Sequence, residues 1–292
     1  MRTTIAVCYK AGTQDVLLVW FSSVFQCTSP CKVVVVTADD KSYEEAFGFA
    51  QGLLDVEVVQ VALPECPTVR IHGTMLDVFL ANHPVTTEFF LTMDSDCFPI
   101  AKGWLDGLEA MMDNGAKVAG ILHPWGPPPE DMDHSLIEWR VRSQHCWNNT
   151  HVACQMIRPA DLKELGVTYA KGDDTGLLIP LMAGRKGWKI DGYKVSRCAK
   201  PKDASDPEFN RYVCLVFGDK VYHHGGFTRV AMGDKPMLAE GCGWVWDQIV
   251  KNRSADFLLS DEFSYQFKHD REEAIAKDKM DKLFGEQTMG LK

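Results

Sequence analysis

Three short stretches hold side chains whose types and spacing can do chemistry: Asp94-Ser95-Asp96, Asp173-Asp174 and His223-His224. The first follows an apolar run, Thr87–Met93, that reads as a strand. Two carboxylates one residue apart at a strand's end can converge on one hard cation. Mg²⁺ or Mn²⁺ takes one or two protein carboxylates and completes its shell with water and phosphate oxygens. Such an ion offsets the charge that builds up on a departing diphosphate. A second D-x-D, Asp131-Met132-Asp133, lies close behind a cluster of prolines and reads as solvated surface acid. Asp173 and Asp174 open a helix-like segment whose apolar residues include Leu177, Leu178, Leu181 and Met182. Aspartate there caps a helix by hydrogen bonding and through the dipole. A carboxylate so placed can also take a proton from a hydroxyl within hydrogen-bond reach, and the two roles are compatible. His223 and His224 close a strand-like run just before Gly225-Gly226. Neighbouring side chains on a strand point to opposite faces, so at most one of the two reaches a metal.

The elements that must carry these groups alternate in kind. Strands are expected over Thr3–Tyr9, Lys32–Ala38 (with four consecutive valines), Val56–Ala62, Thr87–Met93 and Lys117–Leu122, and helices over Thr13–Phe25, Ser42–Leu54, Ile71–Ala81 and Lys102–Asn114. Ser42, with Glu45 three places on, has the capping-box arrangement. Alternation of this kind predicts a mostly parallel sheet covered on both faces, and ligands bind such sheets beyond the carboxyl ends of the strands. After His123 the pattern breaks. Pro124, Pro127, Pro128 and Pro129 predict a long surface loop, followed by a strand over Val152–Arg158, helices over Ala160–Leu165 and Asp174–Gly184, and short strands around Val213–Phe217 and Val221–His224. The charge-rich stretch from Phe267 to Phe284 reads as a surface helix.

Composition narrows the partners. The chain has 292 residues, 46% hydrophobic and 24% charged, which fits an ordinary globular protein with a substantial core. Its formal charge of −9, from 40 acidic and 31 basic residues, repels a polyanion and argues against nucleic acid. No run is long and apolar enough to span a bilayer, and the amino terminus enters a strand at once, so neither a membrane span nor a signal peptide is expected. Ten scattered cysteines without a paired metal-binding spacing read as reduced thiols, hence a cytoplasmic protein.

The stretch around Asp94 and Asp96 resembles the D-x-D strand of GT-A-fold glycosyltransferases, and other segments follow in that family's order. Tyr9 closes the first strand, and Asp39-Asp40 stands where the family places an acid near the base or ribose. Arg70 to Gly73 leads into the helix that often touches the donor. Arg158-Pro159-Ala160-Asp161-Leu162-Lys163-Glu164-Leu165-Gly166 is similar to the family's strand, basic residue, helix and glycine. Gly172-Asp173-Asp174-Thr175 resembles its acidic pair at a helix start, Gly187-Trp188-Lys189-Ile190 the turn after that helix, and Val221–Gly226 the strand and histidine that complete the metal site. The resemblance covers residues 3 to about 229. It implies a GT-A-like, Rossmann-like α/β fold, with a mostly parallel central sheet flanked by helices and a smaller acceptor-side part. Residues 1–122 would form the nucleotide-sugar-binding half, 123–266 the acceptor-binding and catalytic half of the same domain, and 267–292 a C-terminal surface helix.

By the same resemblance, Tyr9, Asp39, Asp40, Arg70, Asp94, Ser95 and Asp96 would bind a nucleotide-diphosphate sugar, a UDP-sugar by default. Asp94 and Asp96, with His223 ahead of His224, would hold Mn²⁺ or Mg²⁺. Asp174, with Asp173 second, would deprotonate a hydroxyl of a glycan or other acceptor, and transfer of the hexosyl or pentosyl group would invert configuration. Arg229 reads as a diphosphate clamp or a surface arginine. Trp125, Trp139 and Trp147 follow the acceptor-side order, while Trp244 and Trp246 bracket Val245 at strand spacing. Aromatic rings suit sugar faces but also fill cores. Two alternatives stay open. A sugar-phosphate nucleotidyltransferase would want a basic, glycine-rich loop after the first strand, of which Cys8–Thr13 is a thin version. A catalytically silent nucleotide-sugar-binding protein could use the same fold.

Overall fold

The computed structural model describes residues 1–67, 70–122, 150–171, 175–200, 214–225 and 243–267. Strands β1 (Thr3–Cys8), β2 (Lys32–Thr37), β3 (Val56–Gln60) and β4 (Phe89–Met93) alternate with helices α1 (Gln14–Cys27), α2 (Asp40–Ala50) and α3 (Ile71–Asn82). β5 (Cys97–Pro99), α4 (Trp104–Asp113) and β6 (Val118–Leu122) follow, then β7 (Thr150–Ile157), α5 (Pro159–Leu165) and α6 (Leu178–Arg185). The last elements are β8 (Ile190–Ala199), β9 (Cys214–Phe217), β10 (Val221–His224), α7 (Gly243–Asn252) and β11 (Ser264–Gln266).

The strands form one sheet in the order β3-β2-β1-β4-β7-β6-β8-β9-β10-β5, with β11 added beside β8. The run β3-β2-β1-β4 is parallel. β7 joins β4 antiparallel, and the rest of the sheet is mixed. Strand alternation divides the core between the two faces. Ile5, Val7, Val33 and Val35 bury with Trp20, Trp104, Leu108 and Ile249, from α1, α4 and α7. Ala6, Val34 and Val36 bury with Leu76, Phe79, Leu165 and Ile179, from α3, α5 and α6. A strand covered on both faces needs apolar residues at every position, which is why β2 reads Val-Val-Val-Val.

Three local expectations give way. The cap of α2 is Asp39 and not Ser42: Asp39 accepts the Ser42 amide at 2.9 Å and the Ser42 hydroxyl at 2.7 Å. Glu45, read as the capping-box acid, instead accepts the Tyr9 hydroxyl at 2.7 Å. Trp244 and Trp246 lie on a helix, where Val245, Trp246 and Ile249 share the buried side. The turn at Gly187 leads directly into β8, a strand whose half-exposed, charge-bearing sequence hides its character. Among the described residues, no helix is long and apolar enough to cross a membrane.

Candidate metal and phosphate site

β4 stops at Met93, yet the chain stays tied to β7 for one more residue, because the Asp94 amide donates to the Ala153 carbonyl at 3.0 Å. The Cys97 amide then donates to the Asp94 carbonyl at 3.0 Å, closing a tight turn with Ser95 and Asp96 at its centre. β5 leaves this turn and pairs antiparallel with β10, Cys97 opposite His223. The Asp96 carbonyl accepts the His224 amide at 2.9 Å. One tight turn thus brings the end of β4 against the end of β10.

The pleat of β10 separates its two histidines. His223 stands with Asp94 and His151, and one ligand atom from each of the three lies within 4.8 Å of the others. Its ring centroid is 5.4 Å from that of His151. His224 shares the other face with Tyr222, whose hydroxyl is 2.7 Å from His224 Nδ1, while Cys214 Sγ lies 3.7 Å away and Trp246 meets the ring edge-on. Burial holds His224 well below the usual imidazole range, at about 3. Asp94 keeps 21% of its side chain exposed and has His72 Nε2, from the first turn of α3, at 3.5 Å. Ser95 and Asp96 are buried, and Asp96 stands outside the three-residue group.

His151 was not legible in the sequence, and it is an irregularity of β7 that brings it here. Between Gly120↔Gln155 and Leu122↔Thr150 the β6–β7 register shifts, while pairing of β7 with β4 continues regularly to Met93↔Cys154. The extra length of β7 bulges away from β6. Gln155 bridges this bulge, its Nε2 donating to the Thr150 carbonyl at 3.2 Å and to the Thr150 hydroxyl at 3.1 Å. Inside it, the Ala153 amide donates to His151 Nδ1 at 3.1 Å.

A divalent cation fits the group chemically: one carboxylate oxygen and imidazole nitrogens, within a span a single ion can bridge. The nearby thiols are poor competitors. Burial raises Cys8, Cys97 and Cys154, and the Asp94 charge adds to the effect, so they stay protonated.

The other expected donor-side residues lie along the same carboxyl edge of the sheet. Tyr9 is buried on Glu45. Asp39 is engaged with Ser42, whose amide and hydroxyl hold its carboxyl below the usual range. Asp40 accepts from Gln60 at 2.8 Å. Arg70 is exposed at the cap of α3, where its carbonyl accepts the Thr74 hydroxyl. In the loop after β1, the Ala11 amide donates to Ser42 Oγ at 2.9 Å and the Gly12 amide to Glu45 at 3.4 Å, so these two amides are engaged within the protein. Asp173 and Asp174 lie outside the described residues, as do Asp131, Asp133, Arg229, Trp125, Trp139 and Trp147. The described chain leads toward the acidic pair as far as Lys171, and α3 holds that approach. Asp77 accepts the Tyr169 amide at 2.7 Å and the Ala170 amide at 2.9 Å, and a Cβ on Gly73 would stand 2.6 Å from the Tyr169 carbonyl oxygen.

An open α/β sheet, parallel through β3-β2-β1-β4, closed by antiparallel strands and flanked by helices on both faces, defines a GT-A-like architecture. No protein-family model and no curated protein sequence matches the chain. Among solved structures it is similar to S. aureus TarS 1–349, with 17% identity, a TM-score of 0.42 and coverage of 63% of this chain. The match spans 55% of that structure, about half its length. It is also similar to 4-diphosphocytidyl-2C-methyl-D-erythritol synthase from Anaerococcus prevotii, with 10% identity, a TM-score of 0.42 and coverage of 66% of this chain and 88% of that one. Mouse xyloside xylosyltransferase 1 in its apo form matches with 12% identity, a TM-score of 0.39 and coverage of 65% and 77%. At these identities and scores the likenesses bear on neither substrate nor reaction.

Proposed function

We propose that the chain is a metal-dependent glycosyltransferase that moves a sugar from a nucleoside diphosphate, UDP by default, to a hydroxyl acceptor. The observation that carries this reading is the convergence of Asp94, His151 and His223 beyond the carboxyl end of β4. That is where open α/β sheets receive phosphate-bearing ligands. Asp94 and His223 would hold the cation, and a donor set mixing carboxylate with imidazole suits Mn²⁺ better than Mg²⁺, which prefers oxygen alone. When bound, the ion supplies positive charge next to the departing diphosphate. Asp94 would turn its carboxylate to the ligand, and the tight turn through buried Ser95 and Asp96 supports this by fixing the backbone on either side of it. Asp174 is assigned the proton of the attacking hydroxyl, with Asp173 next to it, and direct displacement inverts the anomeric centre. The sugar would be a hexose or pentose.

The engaged amides of Ala11 and Gly12 favour this reading over a nucleotidyltransferase, which needs a loop there whose N–H groups are open to phosphate. The test is thermal stabilisation by UDP-, GDP- and dTDP-sugars, with and without Mn²⁺. A ligand at a hundred times its Kd stabilises the native state by about 2.7 kcal/mol. UDP-sugars should raise the melting temperature only with Mn²⁺, and acceptor turnover should release UDP. Release of pyrophosphate from a nucleoside triphosphate, or stabilisation indifferent to metal, would overturn the proposal.

A further inference from the structure

His223 and His151 stand side by side, and the backbone contact of His151 bears on which of its nitrogens can serve a ligand. A histidine that ligates a metal gives the ion one ring nitrogen's lone pair and donates the N–H of the other nitrogen to a carboxylate, a carbonyl or water. His151 has the reverse arrangement. Its Nδ1 faces a donor, the Ala153 amide at 3.1 Å, and a ring nitrogen that accepts an N–H carries no proton. In the neutral ring the single proton therefore sits on Nε2.

We infer that His151 meets the bound ligand as an N–H donor, through Nε2, and contributes to the site a hydrogen bond for a phosphate oxygen, not a lone pair for the metal. The backbone enforces this choice. Ala153 is fully buried, and its carbonyl anchors the Asp94 amide. Neither residue can turn without undoing the link that carries Asp94 beyond β4. Gln155 holds the bulge closed from the Thr150 side. Moving the ring proton to Nδ1, to free Nε2 as a lone-pair donor, would set that proton against the Ala153 N–H. Ligation through Nδ1 would strip a buried amide of its acceptor and aim a positive dipole at the cation. A ring nitrogen of His151 lies within 4.8 Å of ligand atoms of Asp94 and His223, so the ring is near enough for its Nε2–H to meet an anion bound to the same ion. The three-residue cluster then divides its work: Asp94 and His223 for the cation, His151 for the diphosphate.

This assignment rests on the functional reading above, and two measurements on the full chain separate them. In metal-free protein, two-bond ¹H–¹⁵N correlation spectra, with the His151 signals assigned by their loss in His151→Ala, should show the Nε2–H tautomer. An Nδ1–H tautomer overturns the inference, whatever the enzyme does. Next, Mn²⁺ binding is followed by electron paramagnetic resonance with and without UDP. His223→Ala should lose Mn²⁺ affinity by about tenfold or more. His151→Ala should keep Mn²⁺ affinity within about threefold and bind UDP about tenfold more weakly in the presence of Mn²⁺. His151→Gln, whose amide can put an N–H where Nε2 stood, should recover most of the UDP affinity, which a merely structural role would not predict. A loss of Mn²⁺ affinity in His151→Ala equal to that in His223→Ala overturns the inference and leaves the metal site intact. No Mn²⁺ binding by the unaltered protein overturns the functional reading, and this assignment with it.

Discussion

At the amino end of β4, Glu88 is 2.8 Å from Arg2 and 3.6 Å from Arg158. Both guanidinium groups lie over the Phe89 ring, at 4.8 and 4.9 Å, and Arg2 also takes both oxygens of Asp113. At the carboxyl end, Asp94 has imidazoles for company: His72 at 3.5 Å, with His151 and His223 in its cluster. Arginine keeps its charge throughout the accessible pH range and offers only donors. Histidine exchanges charge near neutrality and can present a lone pair or an N–H. One end therefore holds acids against permanent, forked partners, which suits an anchor. The other surrounds an acid with groups that can change partner when a cation and an anion arrive.

The largest expected effect breaks this contrast at its functional end. Asp94→Asn keeps the shape of the side chain and removes the charge. It should weaken Mn²⁺ binding by at least about a hundredfold, read by paramagnetic resonance titration. The metal-free variant should melt no lower than the unaltered protein, because acids gathered for function are often relieved by neutralisation. Equal Mn²⁺ affinity in the two proteins would remove Asp94 from the site and leave the two ends of β4 alike in purpose.

How much of this was legible in the sequence depends on whether an element's own residues carry the signal or only its partners do. β1, β2 and β4 announce themselves because both of their faces are covered, so they are mostly apolar whatever the distance to their partners. The opposite fates of His223 and His224 follow from the two-residue period of a strand, which local sequence shows. His151 could not be read that way. It depends on the pairing of β7 with β4, some sixty positions apart (Met93↔Cys154), and on a bulge that exists because β7 keeps register with β4 and loses it with β6. Nothing local to Thr150-His151-Val152 marks a bulge. The cap of α2 was misread for a different reason. Two overlapping patterns, Asp39-x-x-Ser42 and Ser42-x-x-Glu45, each suit an N-terminus, and the contact of Glu45 with Tyr9, thirty-six positions away, favours the first. α7 was misread because Trp244 and Trp246 alternate around Val245, while the buried set that decides, Val245, Trp246 and Ile249, has helical spacing.

A middle-sized effect sharpens the contrast through pH. His224 is kept neutral by burial, with its protonation pushed down to about 3, whereas in the unfolded chain it protonates at the ordinary value of about 6.5. Below that value the unfolded state binds the extra proton and the folded state does not. The stability involved is thus fully present above pH 6.5 and is lost as pH falls toward 3, by about 1.4 kcal/mol per unit. Between pH 7.5 and pH 5 this residue alone should account for about 2 kcal/mol. His224→Asn keeps a polar group where Nδ1 meets the Tyr222 hydroxyl and cannot titrate. Urea denaturation at the two pH values should show the variant losing less stability than the unaltered protein, and equal losses would mean that the His224 face takes up protons without unfolding.

The smallest effect tests the anchored end. Arg2 is 42% exposed, and its partner acids Glu88 and Asp113 are 43% and 48% exposed, so water and salt screen the pairs. Exposed pairs of this kind contribute little, and the forked Arg2–Asp113 pair stands at the upper end of their range. Arg2→Met keeps a flexible stem that can still cover Phe89, removes the charge, and leaves Arg158 over the ring. The melting temperature should fall by no more than about 2 °C, with the shift shrinking further in 0.5 M salt. Nucleotide and Mn²⁺ affinities should not change, because Arg2 stands at the opposite end of β4 from Asp94. A loss of Mn²⁺ affinity in Arg2→Met would show that the charge network at one end of the strand sets the direction of the carboxylate at the other, and the two ends would then work as one unit.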